Sequence, residues 1–470
     1  MLLSNVFERF ATKTPVTVMA RAAMEHALAP EALDALFDEN ADKQYTRDLL
    51  FSSVVDLMGV VVTKGAPSVN AAFKSVASTL PVSLASVYNK LNCLEPGITG
   101  ALVAHTANRL APVIVAMGGE LKSLLPKKYR VRIIDGNHIR ATQRRLDVLL
   151  GCKAGPLPGH SIVVLDPALM LATNMIPCED GHAQERSLTP EILEIVEGDD
   201  VIVADRNFCT SKLLHGIDER DAFFVIRHHA NMKLVPVGKL KRRGRTETGT
   251  VFEQDVTFIG SDKLPIKVRR VVLRLNKPTR DGDSEMSILT NLPRSAANAV
   301  AVAELYRERW TLETLFQSLT IMLEGELDTL GYPRAALFGF GIALAAYNVL
   351  STVQAALRGK FGAEKIQTEV SAFYIANEVT AMTAGMDVAV ERSQWVPFRT
   401  MTSAALGKKL LGWAARVKLQ SFKRLPRGEK KPVPKRTRFA KEPHVSTARL
   451  LAAASARKKK HLETAGLRGQ

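Results

Sequence analysis

Val131-Arg132-Ile133-Ile134-Asp135-Gly136 is the stretch on which the reading of this chain turns. A short run of β-branched residues closed by an acid and a glycine predicts a strand that ends in a turn. Val201-Ile202-Val203-Ala204-Asp205 repeats the pattern. Between the two, residues 161–165 and 170–175 read as further strands, separated by the turn residues Asp166 and Pro167. A helix is then expected with Thr189 as N-cap, Pro190 at N1 and Glu191 at N2, running to about Val196. Past Asp205 a short helix from Thr210 leads to a strand over 222–227. Residues 228–292 alternate in the β manner at 251–259, 266–275 and 286–290, which predicts a β-rich insertion.

A long helix is expected next, over 296–323. Its octet Tyr306-Arg307-Glu308-Arg309-Trp310-Thr311-Leu312-Glu313 sets Tyr306, Arg309 and Glu313 along one ridge, continued by Gln317 and Thr320. At about 100° per residue, Arg309 and Glu313 fall within roughly 60° of Tyr306. Val302, Leu305, Leu312, Leu315, Phe316, Leu319 and Leu323 form the neighbouring apolar stripe that presses the helix onto a core. Residues 335–357 are apolar over nearly a bilayer's thickness. Asn348, Ser351, Thr352 and Gln354 interrupt them, which favours a buried core helix.

Residues 1–120 read as helical, at 16–28, 30–37, 46–62, 69–80 and 83–91. The last two, parted at Pro81, could form a helix-turn-helix, but such helix pairs are common and ordinary packing is the favoured reading. Residues 1–14 lack an apolar segment of the kind a secretory signal needs. Four scattered cysteines suggest a reducing compartment, with neither a disulfide framework nor a zinc site. The formal net charge is +17, and residues 408–470 hold 19 Lys or Arg against three acids, or +16 of it. Such a concentration suggests contact with a polyanion. Pro426, Pro432, Pro434 and Pro443 imply that much of this tail is extended or disordered.

Asp135, Asp205 and Glu313 together have the composition of a two-metal phosphoryl-transfer site. Attack on a phosphodiester requires activation of one oxygen and stabilisation of another beside existing negative charge. Hard divalent cations meet both needs and are held by carboxylate oxygens. Each Asp alone reads better as a turn former at a strand end. The argument rests on all three in order, with an insertion between the second and third.

In that order, Asp135-Gly136, Asp205-Arg206-Asn207-Phe208 and Tyr306-x-x-Arg309-x-x-x-Glu313 resemble the three blocks of DDE transposases of the bacterial insertion-sequence-four family. Thr290-Asn291-Leu292-Pro293 and Leu330-Gly331-Tyr332-Pro333-Arg334 are similar to segments flanking those blocks, and the resemblance covers about 125–355. It implies an α/β fold: a ribonuclease H-like catalytic domain over 121–355, with the insertion at about 228–292. A helical DNA-binding region over 1–120 and a helical, basic C-terminal region over 356–470 complete the chain. It further implies cut-and-paste transposition of DNA, with Asp135, Asp205 and Glu313 as ligands of two Mg2+ ions for which Mn2+ can substitute. Tyr306 and Arg309 would contact phosphate. The implied partners are the inverted repeats at the element's ends, target DNA and a second copy of the chain. The implied location is the bacterial cytoplasm, at the nucleoid, with no membrane association.

The family signature continues to a lysine seven residues past Glu313, where this chain has Thr320. A hydroxyl can hydrogen-bond a phosphate oxygen but cannot neutralise it. Arg307, Arg334 or the cluster Arg242-Arg243-Arg245 are the substitutes the sequence offers. Trp310 is expected to pack between helix and insertion, with stacking on an extruded base as the other reading. His138, His160, His182, His228 and His229 read as surface or hydrogen-bonding residues, and Asp180, His182 and Glu185 as a polar loop near the site. A ribonuclease H-like nuclease without strand transfer, and a transposase-derived DNA-binding protein without activity, are the rival functions.

Overall fold

The computed structural model of the chain describes residues 4–44, 48–77, 80–260, 262–279, 282–425 and 444–466, with side chains of the last helix described to 460. The proline-punctuated stretch 426–443 lies outside the described residues.

The two acid-closed runs form β1 (Arg130–His138) and, after β2 (Pro156–Leu157), β3 (His160–Asp166) and β4 (Leu171–Cys178), the strand β5 (Asp200–Ala204). Next come β6 (Phe223–Arg227), the short β7 (Val235–Pro236), β8 (Lys241–Arg245), β9 (Gly249–Ile259), β10 (Pro265–Leu275) and β11 (Glu285–Thr290). These strands, β2 apart, make one sheet in the order β4-β3-β1-β5-β6-β11-β10-β9-β7, with β8 also on β9. β1, β5 and β6 run parallel, whereas β3 and β4 double back as an antiparallel hairpin on β1. β5 is buried at every position, as a parallel strand covered on both faces must be.

The insertion is continuous with this sheet. β11 pairs antiparallel with β6, Leu289 opposite Ile226, so the parallel strands β1, β5 and β6 and the insertion share one hydrogen-bonded ladder. On its far side Glu253 is buried and held by Arg269, Arg243 and Arg294 at 2.7, 2.9 and 3.3 Å.

Helix Pro333–Phe361 runs through the centre of the molecule, and 94% of its most apolar window is buried. It packs on Pro96–Ala116 and on β4, and Asn348 exchanges two hydrogen bonds with the backbone of Ala172 at 2.8 and 2.9 Å. Pro96–Ala116 is also long and apolar enough to span a bilayer, and half of it is buried. A second core joins the chain's two ends: Phe7, Trp395, Phe398 and Trp413 meet with ring centroids 4.8 to 6.4 Å apart. Helices Val69–Val76 and Leu84–Cys93 pack against their neighbours, the second on Pro333–Phe361.

Two expectations fail in detail. The helix Thr189–Glu194 is entered from the 3-10 turn Glu185–Leu188, so Thr189 is its first residue and Leu188 its cap position. The Thr189 hydroxyl bonds back to the Arg186 carbonyl at 2.7 Å instead of capping. The helix expected over 296–323 is two helices, Ala299–Arg307 and Trp310–Met322. Across the break the bonds tighten from i−4 to i−3: Arg309 N to Tyr306 O, Thr311 N to Glu308 O and Leu312 N to Arg309 O. Neither Gly nor Pro stands at this junction, which is why the sequence pattern runs on through it.

Candidate active site

The β1–β5 register opposes Arg130 to Asp200 and Ile133 to Val203. Continued by two residues, it brings Asp135 level with Asp205. Pairing between the two strands stops at Ile133, while β1 continues along β3 to His138. Both carboxylates therefore stand where the parallel pair opens, an edge with unpaired backbone.

Each Asp is fixed locally. Asp135 Oδ1 accepts from the Gly136 amide at 3.0 Å. Asp205 caps the 3-10 turn Arg206–Phe208, its Oδ1 accepting from Asn207 N at 2.7 Å. Asn207 in turn donates its side-chain amide to Glu185 Oε2 at 3.2 Å. Gly136 is needed for this approach, because a Cβ there would overlap the Glu185 carboxylate. Glu185, read from sequence only as part of a polar loop, is thus a fourth acid of the site. Its signal in the sequence was no more than an acid ahead of the helix leading into β5.

Glu313 arrives from the helix break. Arg309 donates from Nη1 to Asp135 Oδ2 at 3.0 Å and from Nη2 to Glu313 Oε1 at 2.7 Å, so one guanidinium joins strand and helix acids. The Tyr306 ring is buried and its hydroxyl interacts with Arg309. The structure therefore gathers all five sequence-predicted residues, Asp135, Asp205, Tyr306, Arg309 and Glu313, around one edge.

Electrostatics follow from that crowding. Burial, reinforced by repulsion from Asp205 and Glu185 and opposed by Arg309, pushes Asp135 up to about 7. Burial also raises Glu185, with Asp205 adding to the shift. Arg309 loses solvation, yet the neighbouring Tyr306, Asp135 and Glu313 raise its pKa further still. Glu308 is half-buried in the break and is likewise pushed up to about 7, mainly by desolvation.

A divalent cation suits this donor set, since it consists of hard carboxylate oxygens whose mutual repulsion such an ion relieves. Among the described residues no three acids close around a common point, because Arg309 stands between Asp135 and Glu313.

Trp310 does not pack between helix and insertion as expected: it is 50% exposed beside Arg309, on the side of the helix away from the stripe of Leu305, Leu312 and Leu319. The Thr320 hydroxyl is exposed and returns to the Phe316 carbonyl at 3.2 Å. Arg307 pairs with Glu247 and Glu304, Arg334 with Glu179, and Arg243 with Glu253. A cation that sequence order hid lies one residue beyond Thr320. Lys64, in a left-handed turn after helix Phe51–Val62, donates Nζ to the Ile321 carbonyl at 2.9 Å.

Residues 126–349, which include Asp135, Asp205 and Glu313, match the family described as the Transposase DDE domain. The chain is also 32% identical over 126 residues to "Putative transposase y4zB" of Sinorhizobium fredii, a match that covers 26% of this chain. The match spans a third of that relative's own length. Together the two similarities support a likeness to DDE transposases, which the family match places over residues 126–349.

Proposed function

We propose that this protein is a DNA transposase that binds the ends of its own insertion sequence and performs metal-dependent strand cleavage and strand transfer. The observation that carries the reading is the register that aligns Asp135 with Asp205, together with Arg309 drawing Glu313 to the same edge. A ribonuclease H-like core is supported by the order β4-β3-β1-β5-β6, an antiparallel hairpin followed by parallel strands.

Asp135, Asp205 and Glu313 would hold two Mg2+ ions, with Mn2+ as a substitute. The ions, when bound, supply the positive charge that activates the attacking oxygen and steadies the leaving one. Arg309 then has a phosphate to bind, and its two donors now spent on Asp135 and Glu313 become available for it. Exposed Trp310 is placed to stack on an unpaired base beside that phosphate. Lys64 takes the part of the signature lysine, because its Nζ stands on the Ile321 carbonyl at the Thr320 end of the helix, whereas Arg307, Arg334 and Arg243 are bound to acids. A dimer on paired DNA ends, with no membrane contact, completes the reading.

The test is cleavage of a duplex carrying the element's end. Asp135→Asn, Asp205→Asn and Glu313→Gln should each abolish Mg2+-dependent nicking while leaving DNA binding in place. Parental nicking rates in all three variants would reject the assignment. A second reading, a DNA-binding protein without activity, draws on Thr320 and on the carboxylates that do not close around a point. Binding without cleavage in either Mg2+ or Mn2+ would favour it. Cleavage without joining of pre-cleaved ends would favour a nuclease.

A further inference from the structure

The C-terminal segment returns to the segment between β1 and β3, where it adds to β2 outside the large sheet. β12 (Val445–Ser446) pairs in parallel with β2, Val445 opposite Pro156 and Ser446 opposite Leu157. Ser446 and Thr447 are buried at the contact. Arg449 then grips one oxygen of Asp180, from Nε at 2.8 Å and from Nη2 at 2.7 Å. The helix Thr447–Gly466 that begins here packs over the short helix Asp147–Leu150.

The docked helix and the segment it packs over each carry a set of cations, the two far apart in the sequence. One lies in the segment that leaves β1 five residues past Asp135: Arg140, Arg144, Arg145 and Lys153. Arg144 binds the carbonyls of Lys153 and Ala154, which fixes the shape of that loop. The Arg140 side chain is 63% exposed, and its nearest acid, Glu326, is 3.8 Å away. The other set is Arg457, Lys458, Lys459 and Lys460, all exposed on the docked helix. No acid occurs from Thr447 to Lys460.

We propose that the loop 140–153 and the docked helix Thr447–Gly466 form one surface that tracks the phosphate backbone of duplex DNA toward the Asp135 edge. This rests on the transposase reading above. The helix is 20 residues long, hence about 30 Å, close to one turn of duplex. Thr447–Lys460 contains no aromatic residue to stack on an unpaired base and no Asn or Gln to read a base edge. What it presents is charge, which binds phosphate without regard to sequence. The Arg449–Asp180 pair and β12 serve as the anchor that holds this charge beside the loop.

The experiment measures affinity of the full chain for a duplex of arbitrary sequence, by fluorescence anisotropy across a salt series. Replacing Arg457, Lys458 and Lys459 by Ala should flatten the slope of log K against log salt by about two to three, since each phosphate no longer neutralised removes about 0.9 from it. Arg140→Ala with Arg145→Ala should flatten it by about one to two. Asp180→Ala is the decisive variant. By net charge alone it should tighten binding, whereas release of the anchor should weaken it by roughly tenfold, as undocking scatters the helix charges. The two cluster variants should keep the parental melting temperature, because the substituted side chains are exposed. Tighter binding by Asp180→Ala would overturn the anchor, and unchanged slopes in both cluster variants would overturn the surface. Stronger binding to duplex RNA would overturn the choice of DNA. A parent chain with no affinity for any duplex would instead refute the transposase reading itself.

Discussion

Arg309 donates to Asp135 at 3.0 Å across 174 residues of chain, from a break between two helices to the edge of a parallel strand pair. The same guanidinium reaches Glu313 one turn further along its own helix, at 2.7 Å. One cation therefore neutralises the acids from the first and third sequence blocks. At Asp135, whose side chain is mostly buried, an uncompensated charge would be costly, whereas Glu313 is exposed.

Removing that cation has a defined consequence. Without added metal, Arg309→Gln should lower stability by roughly 1–3 kcal/mol, since Asp135 loses its partner while remaining buried. Asp135→Asn in the same chain should recover most of the loss, because no charge is then left to compensate. Thermal melts of the parent, both single variants and the double variant measure this coupling. Additive effects would show that the pair does not matter.

Stability of the metal-free protein should fall as pH rises from about 4 to about 7. The sign follows from Asp135, whose folded pKa of about 7 lies above its unfolded value, so that the folded state holds the proton more tightly. The gain is complete below about pH 4 and disappears as pH approaches 7. Glu308, also pushed up to about 7, adds in the same direction. Asp135→Asn should remove part of the slope, and Glu308→Gln a separate part. Urea unfolding at several pH values reads both, and a parental slope in the two variants would contradict the assignment.

Gly136→Ala tests the fourth acid. The added methyl overlaps Glu185, which must leave its place beside Asn207. Cleavage should drop by about tenfold or more, in keeping with the removal of a group that supports metal ligands. Circular dichroism should be unchanged, because the strand needs no positive φ at this position. Parental cleavage by this variant would remove Glu185 from the site.

Lys64→Ala should weaken cleavage by roughly tenfold, the worth of one charge-assisted hydrogen bond to phosphate. Thr320→Lys in that background should restore it, because Thr320 is exposed on the same end of the helix whose Ile321 carbonyl Lys64 holds. No rescue would mean that Lys64 only closes the end of the helix.

Strand locations were legible in the sequence because β-branched runs bounded by turn residues have few other uses, and β1, β5, β6, β9, β10 and β11 lie where that pattern puts them. Asp135, Asp205 and Glu313 were legible as candidates from their places at strand ends and on a polar helical stripe. The break at Glu308–Arg309 was not, because helical periodicity continues through it and no Gly or Pro marks it.

Local chemistry thus determined which segments are strands and helices, which residues carry charge, and that the charge is concentrated at one end of the chain. Pairing between distant segments decided the rest. Sequence does not say that β1 and β5 align with Asp135 opposite Asp205, since a parallel register is set by how two buried faces and their crossover pack. Nor does it say that Glu185 lies against Gly136, that Lys64 meets the far end of the Glu313 helix, or that Arg449 returns to Asp180. Each of these joins residues that no local interaction links, and only packing of the shared core brings them within reach.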